Sequence, residues 1–440
     1  MAPSTSHRPL SLVHARLIDP ETGRETRGGA LVEDGLIKAL GPEVIAQNLP
    51  SDMVLFDCRG DVLSPGLIDL RASLGDGVAN ISASAAAGGV TTILADPPLD
   101  DPAVVALLVQ SAREKAGVRI LPVGALSLGL DGRGIAELGL LQEAGAVAFS
   151  EGRRSLASSH IMRCALSRAS DLDALVVHFP QDRDLAASGV MNDGELALRL
   201  GLAGAPREAE SIALFRNISL ARMTGARTCA APVTTTLSLD LIARARAEGH
   251  DISCATTINH LTLNENDIGD YNAFAKFDPP LRREEERLAL VEAVASGLID
   301  MVFSDHDPQE EGAKDQPFSR AACGAVGLET LLAAGLRLVH ADLISLPRLL
   351  RAMTSRPAEI LRLPQGRLKP GAPANLILFD PDEPFVLDRA DLKSRCKNTP
   401  FDRARLQGAV RATMVGGHFV HGGLLGGPFV DGVMAQMECR

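Results

Sequence analysis

The side chains of this chain that could do chemistry stand at the ends of apolar, strand-like runs. Thr91–Ala95 leads into Asp96, Ala146–Phe149 into Ser150 and Glu151, Leu175–Val177 into His178, and Met301–Phe303 into Ser304, Asp305 and His306. Carboxylates and imidazoles in such places can bind a metal ion or move a proton. No Ser–His or Cys–His arrangement accompanies them as a nucleophile. A further run, Leu63–Asp76, carries Arg71 and Ser73 just beyond Asp69. Neutral imidazole is a good zinc ligand, whereas a permanently charged guanidinium is not a ligand.

Plainer roles exist for the same residues. His178 can be a strand-end histidine with a local hydrogen bond, and Asp305 can cap a loop or pair with a cation. His260 and His306 read as structural. Gly88-Gly89 reads as a turn before a strand rather than a phosphate loop, since no Lys-Ser/Thr follows. The run Arg282–Arg287 reads as the solvated first turn of a helix.

Elements that could position these residues alternate along the middle of the chain. Helix-like stretches at 105–115, 134–143, 193–202, 206–223 and 284–296 separate the strand-like runs. Alternation of this kind implies a parallel sheet, doubly wound or closed as a (β/α)8 barrel. About 300 residues with polar groups at strand ends favour the barrel, whose active site lies at that face. Short strands separated by turns occur before residue 60 and again after 366, at Asn375–Phe379, Arg411–Val415 and His418–Val420. The expected α/β architecture is a barrel over 61–365, a composite β-sandwich from 1–60 and 366–421, and a flexible tail over 422–440. Each terminal module is too small to bury a core alone.

Composition narrows the function classes. The chain has 440 residues, 46% of them hydrophobic, with 3% aromatic and no Trp. A core of Ala, Leu, Val and Ile is expected, and stacking platforms for single-stranded nucleic acid are not. A net charge of -11 speaks against nucleic acid or an anionic membrane as partner. The seven cysteines, at 58, 164, 229, 254, 323, 396 and 439, form no CxxC pair. They fit buried, reduced thiols in a cytoplasmic protein, Cys439 being exposed in the tail. The N-terminal residues lack the apolar stretch of a signal peptide. No run of ~18 apolar residues suggests a membrane span.

A series of motifs carries a resemblance. Pro65-Gly-Leu-Ile-Asp69 opens it, and seven more follow in order. Ala87-Gly-Gly-Val-Thr-Thr92, Thr224-Gly-Ala-Arg227 and Asn259-His-Leu-Thr-Leu263 come first. Lys276-Phe-Asp-Pro-Pro-Leu-Arg282, Ser304-Asp-His-Asp-Pro308, Gly324–Thr330 and Lys397-Asn-Thr-Pro-Phe401 complete it. Together they resemble the dihydroorotases, cyclic amidohydrolases of the amidohydrolase superfamily, over about residues 8–421. The resemblance implies a main metal held by a His-x-His pair, a middle carboxylate and an Asp after the last strand, and, when present, a second metal that shares the middle carboxylate and adds two histidines. Those places fall here on Arg71 and Ser73, on Glu151, on Asp305, and on His178 and Pro232. The family's substrate-binding places fall on Gly75, Pro98, Asp278 and Gln309.

Metal ligands and substrate-binding side chains are thus replaced together. The resemblance is therefore closest to the noncatalytic dihydroorotase-like chains that accompany bacterial aspartate carbamoyltransferase. It implies a pyrimidine-pathway pseudoenzyme, an oligomer built with the catalytic chains of that transferase, and no cofactor. The alternative is an active hydrolase of a cyclic amide with a degenerate zinc site and Asp305 as its catalytic residue. Without a divalent ion Glu151 and Asp305 would face each other, and Arg71 is expected to reach one of them as a substitute cation.

Overall fold

The computed structural model describes residues 9–45 and 53–422. The tail beyond 422, with Cys439, and the first eight residues lie outside the described residues.

Eight parallel strands form the barrel. They are Leu67–Ser73, Val90–Asp96, the paired segments Arg119–Leu121 and Val123–Ala125, Ala148–Ser150, Leu175–His178, Arg227–Ala230, Ile252–Thr257 and Met301–Phe303. The ring closes where the first strand meets the eighth. Ala72 bridges His306, and the Ser73 amide donates to the His306 carbonyl at 2.9 Å. Every residue of Val90–Asp96 is buried, as expected for a parallel strand covered on both faces.

Strand alternation sorts the side chains into two layers. Ile68, Leu70, Leu94, Val123, Ala148, Leu175, Cys229, Ala255, Met301 and Phe303 fill the interior, against Ala358, Ile360 and Leu361 of the segment around the helix Ser355–Ile360. Phe149 and Val176, the alternate residues, pack outward with the helix Ser159–Asp171.

Helices start where capping side chains stop the preceding loop. Asp101 accepts the Ala103 amide at 2.8 Å ahead of Pro102–Lys115, and Ser158 and Thr235 cap Ser159–Asp171 and Thr236–Ala247. The expected helices at 193–202, 206–223 and 284–296 appear as Glu195–Leu200, Glu208–Thr224 and Glu284–Ser296. The stretch expected over 134–143 is helical only from Leu138 to Ala144. Its first part is extended because Ile135 bridges Ser127 and the Ala136 amide donates to the Leu126 carbonyl.

Strands from both termini form one continuous sheet of eight. Leu376–Phe379 pairs antiparallel with Val62–Pro65, which also pairs with Arg16 and Leu17. Val62–Pro65 therefore belongs to this domain, and the barrel begins at Leu67. The sheet curls over its own apolar face, bringing the Phe56 and Phe419 rings to a centroid distance of 5.2 Å.

A loop of this domain also straps the barrel mouth. Asn398 Nδ2 donates to the Asp307 and Gly324 carbonyls, both at 3.1 Å, and its Oδ1 accepts the Gln309 amide. Ser394 Oγ donates to Asp76 at 2.8 Å. The Lys397–Phe401 motif thus locks the terminal domain onto the loops after strands one and eight.

Cys58, Cys229 and Cys254 are buried, and no disulfide forms among the described cysteines. No helix among the described residues is long and apolar enough to cross a membrane.

Gly88 shows how tightly the second strand's entry is packed. A Cβ there would lie 2.0 Å from the Leu328 carbonyl oxygen, which belongs to backbone. Gly88→Ala should therefore cost about 1–3 kcal/mol. Chemical denaturation checks this; a variant as stable as the parent would show that the 328–329 backbone gives way freely.

Candidate functional site at the barrel mouth

The first and eighth strands build the centre of the mouth. Asp69, fully buried, accepts the Ser304 amide at 2.6 Å and the Arg71 amide at 3.1 Å. Burial pushes its carboxyl up to about 6. This clamp holds the two strand ends together and sets Arg71 against Asp305. Arg71 Nε donates to Asp305 Oδ1 at 2.9 Å, and its Nη2 lies 2.8 Å from the same oxygen. The guanidinium lies near two rings, with Cζ 5.3 Å from the Phe303 centroid and 5.8 Å from that of Phe179. The expected substitute cation thus reaches Asp305 and not Glu151.

A second guanidinium, which the sequence did not lead us to expect, joins the first. Arg153 Nη2 lies 2.8 Å from Asp305 Oδ1, and its Nε lies 3.5 Å from Asp307 and 3.7 Å from Asp96. Burial alone would push the Asp305 carboxyl up. Arg153, then Arg71, outweigh burial and hold it down at about 2. The signal for Arg153 was present in outline, two residues beyond Glu151 at a strand end. Only the turn at Gly152 sends its side chain inward.

The other expected positions diverge. Ser150 lines the interior, so Glu151 faces away from it; it accepts the Ser127 amide at 3.2 Å and bonds the Ser127 hydroxyl. Burial pushes its carboxyl up. Val177 lines the interior and His178 turns to the helix layer. There His178 Nδ1 accepts from Asn217 Nδ2 at 3.0 Å. That amide is oriented by Arg216, which donates to its oxygen, so the His178 proton sits on Nε2. Burial, then Arg216, lower His178 to about 3, leaving it neutral. Ser73 Oγ accepts the Gly75 amide, and Pro232, buried, offers no donor atom.

Among the substrate-binding places, Gly75 is exposed, Pro98 lines the interior and the Asp278 carboxyl meets Gln181. Gln309 offers its amide to Asn398. The metal implied by the family does not fit these residues. Glu151 and His178 are turned away and engaged, Asp305 is saturated by two arginines, and Arg71 fills the position of a ligand. No group of three His, Cys, Asp or Glu side chains that could hold a metal ion occurs among the described residues.

Little space remains at the centre. The cavity among Leu70, Arg71, Asp96, Pro98 and Phe303 measures about 20 Å³, room for roughly one water. An open cleft of about 1130 Å³ lies outside it, between Gly75, Phe274, Glu310, Arg389 and Asn398.

His260 and His306 are both buried and hydrogen-bonded beside their strand ends. His260 bonds Thr257 and the Pro279 carbonyl, and His306 Nδ1 accepts the Gly327 amide. The Arg282–Arg287 run opens a helix as expected but is solvated only in part, at Arg283 and Glu285. Arg282 is buried and donates to Thr234, Asn192 and the Ala205 carbonyl, beside Glu210 at 3.8 Å. Buried Glu286 pairs with Arg207 at 3.0 Å. Tertiary partners 45 or more residues away, invisible to a local charge pattern, decided that burial.

Comparisons with known proteins agree with this geometry at the level of the fold. The model of the dihydro-orotase-like family matches residues 60–236, and that of the amidohydrolase family matches residues 186–420. A dihydroorotase-like protein of Pseudomonas aeruginosa is 37% identical, covering 94% of this chain and 100% of its own. A dihydroorotase of Geobacter metallireducens is 36% identical over 94% of this chain and 99% of its own. The solved L-hydantoinase (dihydropyrimidinase) of Arthrobacter aurescens superposes with a TM-score of 0.83 at 25% identity, covering 96% and 97% of the two chains.

Removing one arginine tests the electrostatics. Arg71→Ala should destabilise the fold by about 3 kcal/mol or more at pH 7, because a buried carboxylate is deprived of a partner. Asp305 is held below its ordinary value, so its pairing contributes fully above about pH 4 and is lost as pH falls towards 2. The gap between variant and parent should shrink over that window. Equal thermal unfolding at pH 7 and low salt would sink the claim.

Proposed function

Because this chain belongs to the dihydroorotase-like family of the amidohydrolases, we propose that it is a pyrimidine-pathway member of that family that has given up catalysis for assembly. Its role in this reading is that of a structural subunit for the catalytic chains of aspartate carbamoyltransferase. The observation that carries the absence of catalysis is the double guanidinium on Asp305. Opening a cyclic amide at neutral pH calls for a strong nucleophile, which a metal supplies by acidifying water. Here the carboxylate that would take part is neutralised by Arg71 and Arg153, its neighbours Glu151 and His178 are engaged elsewhere, and the space at the centre is about 20 Å³. An intact barrel with a locked mouth retains outer surfaces on which selection for a partner can act, which supports the assembly role. That role rests on analogy to noncatalytic relatives.

A second reading is an active hydrolase of dihydroorotate or another cyclic amide, with zinc and with Asp305 as its base. What favours it is the relatives named dihydroorotase, such as that of Geobacter metallireducens at 36% identity. Against it stand the divergent ligands.

Elemental analysis and a dihydroorotate assay separate the two readings. The purified chain should carry well under one equivalent of zinc and neither open nor close the ring. Stoichiometric metal with activity abolished by chelation would refute the non-catalytic reading. For the assembly role, mixing with the cognate aspartate carbamoyltransferase should give one large species in size exclusion with light scattering. Two separate peaks at micromolar concentration, with the transferase fully active alone, would defeat it.

A further inference from the structure

The helices Glu208–Thr224 and Thr236–Ala247 pack side by side on the outer wall of the barrel, after strands five and six. The first is apolar on two sides. Ala209, Ala213 and Leu214 face the core, whereas Ile212, Phe215 and Met223 recur at helical spacing on the solvent side. Ile212 is 51% and Phe215 61% exposed. Single exposed apolar residues are ordinary on a protein surface, but these two belong to a shaped feature.

That feature is a groove between the helices of about 360 Å³. Ile212 and Phe215 line it from the first helix, and Leu237 and Leu241 from the second. Asp240 and Arg244, one turn apart, border it from the second helix as well. None of these residues belongs to the barrel mouth.

Charge indicates what covers the groove. Elsewhere on the two helices the acids and arginines find partners in their own chain, as Arg222 does with Glu248 and Arg246 with Asp300. Asp240 and Arg244 are exposed and have no side-chain partner among the described residues. Their spacing of four would let them pair within the helix, yet they do not. An acid and a base one turn apart form a self-complementary pattern. In an isologous contact residue i meets j while j meets i. A two-fold axis that crosses the groove and sets the two Thr236–Ala247 helices antiparallel brings Asp240 to the partner's Arg244, and Arg244 to the partner's Asp240.

The area is sufficient for a reversible contact. The first helix has 17 residues, so the face is about 25 Å long and, across two helices, about 20 Å wide. That gives about 500 Å² per copy and about 1,000 Å² in all, the lower end for a specific interface.

We propose that this groove is the two-fold contact of a homodimer, in which Phe215 of each copy covers Leu237 and Leu241 of the other and two reciprocal Asp240–Arg244 pairs flank the axis. This contact stands whether or not the mouth is catalytic.

Sedimentation velocity and size exclusion with light scattering on the full chain test it. The parent should pass from monomer to dimer as concentration rises through the micromolar range. Phe215→Glu should weaken dimerisation about a hundredfold and leave thermal unfolding of the dilute monomer unchanged. Asp240→Arg or Arg244→Asp alone places two like-charge pairs across the axis and should weaken the dimer about tenfold, more strongly at low salt. The double variant Asp240→Arg/Arg244→Asp should regain the parent's affinity, a rescue that a purely local role of the two charges would not give. If Phe215→Glu does not accumulate, the three charge variants, all at exposed positions, decide alone. A parent monomeric throughout that range, a dimer indifferent to Phe215→Glu, or a double swap no better than the single reversals overturns the proposal. A parent that stays monomeric but binds aspartate carbamoyltransferase, with binding lost in Phe215→Glu, assigns the groove to that partner and overturns the homodimer.

Discussion

A carboxylate buried at the closure of the barrel has to be balanced, and the mouth of this protein is organised around that requirement. Asp305 follows the eighth strand with a left-handed φ of 55° and almost no exposure. Leaving it unpaired would cost several kcal/mol. Arg71 from the first strand and Arg153 from the loop after the fourth converge on it. The first is positioned by the Asp69 clamp on strands one and eight, the second by the turn at Gly152. A metal ion and a guanidinium can satisfy the same electrostatic demand. They differ in chemistry, since the guanidinium binds no water to activate.

Strand alternation accounts for the fate of the remaining polar residues. In the fourth and fifth barrel strands, neighbours face opposite layers. Ser150 and Val177 face the interior, so Glu151 and His178 turn outward to partners on Ser127 and Asn217. The interior positions near Arg71 are taken by Phe303 and Phe179, whose faces stabilise a cation and supply no lone pair. Electrostatics and packing therefore act in the same direction around a central space of about 20 Å³.

Around this centre the fold remains well tied. Asn398 spans the carbonyls of Asp307 and Gly324, and Ser394 bonds Asp76, so hydrogen bonds tie the terminal domain to the mouth. The buried Arg282 network with Thr234, Asn192 and Glu210 does the same beneath the loops after strands six and seven. Such rigidity needs no chemistry to be useful. It is what the proposed assembly role requires of a subunit whose outer surface must hold its shape.

Residue order is enough to specify the architecture and the missing ligands. Alternating apolar runs, their polar ends and motifs in series define the barrel and the family, because period and chain order are local properties. Arg71, Ser73 and Pro232 can be read directly as places without an imidazole, and pairing of Arg71 with an acidic partner follows from charge alone. The choice of Asp305 over Glu151, the entry of Arg153, the outward turn of His178 and the burial of Arg282 and Glu286 arise only in the folded ring. In each case the deciding quantity is which way a side chain faces once the strands have closed. That direction depends on partners such as Asn217, 39 residues from His178, and Asp305, 234 residues from Arg71. Spacing along a chain carries charge and size, but the facing of a residue at a strand end is fixed only when the neighbouring strands and loops are in place.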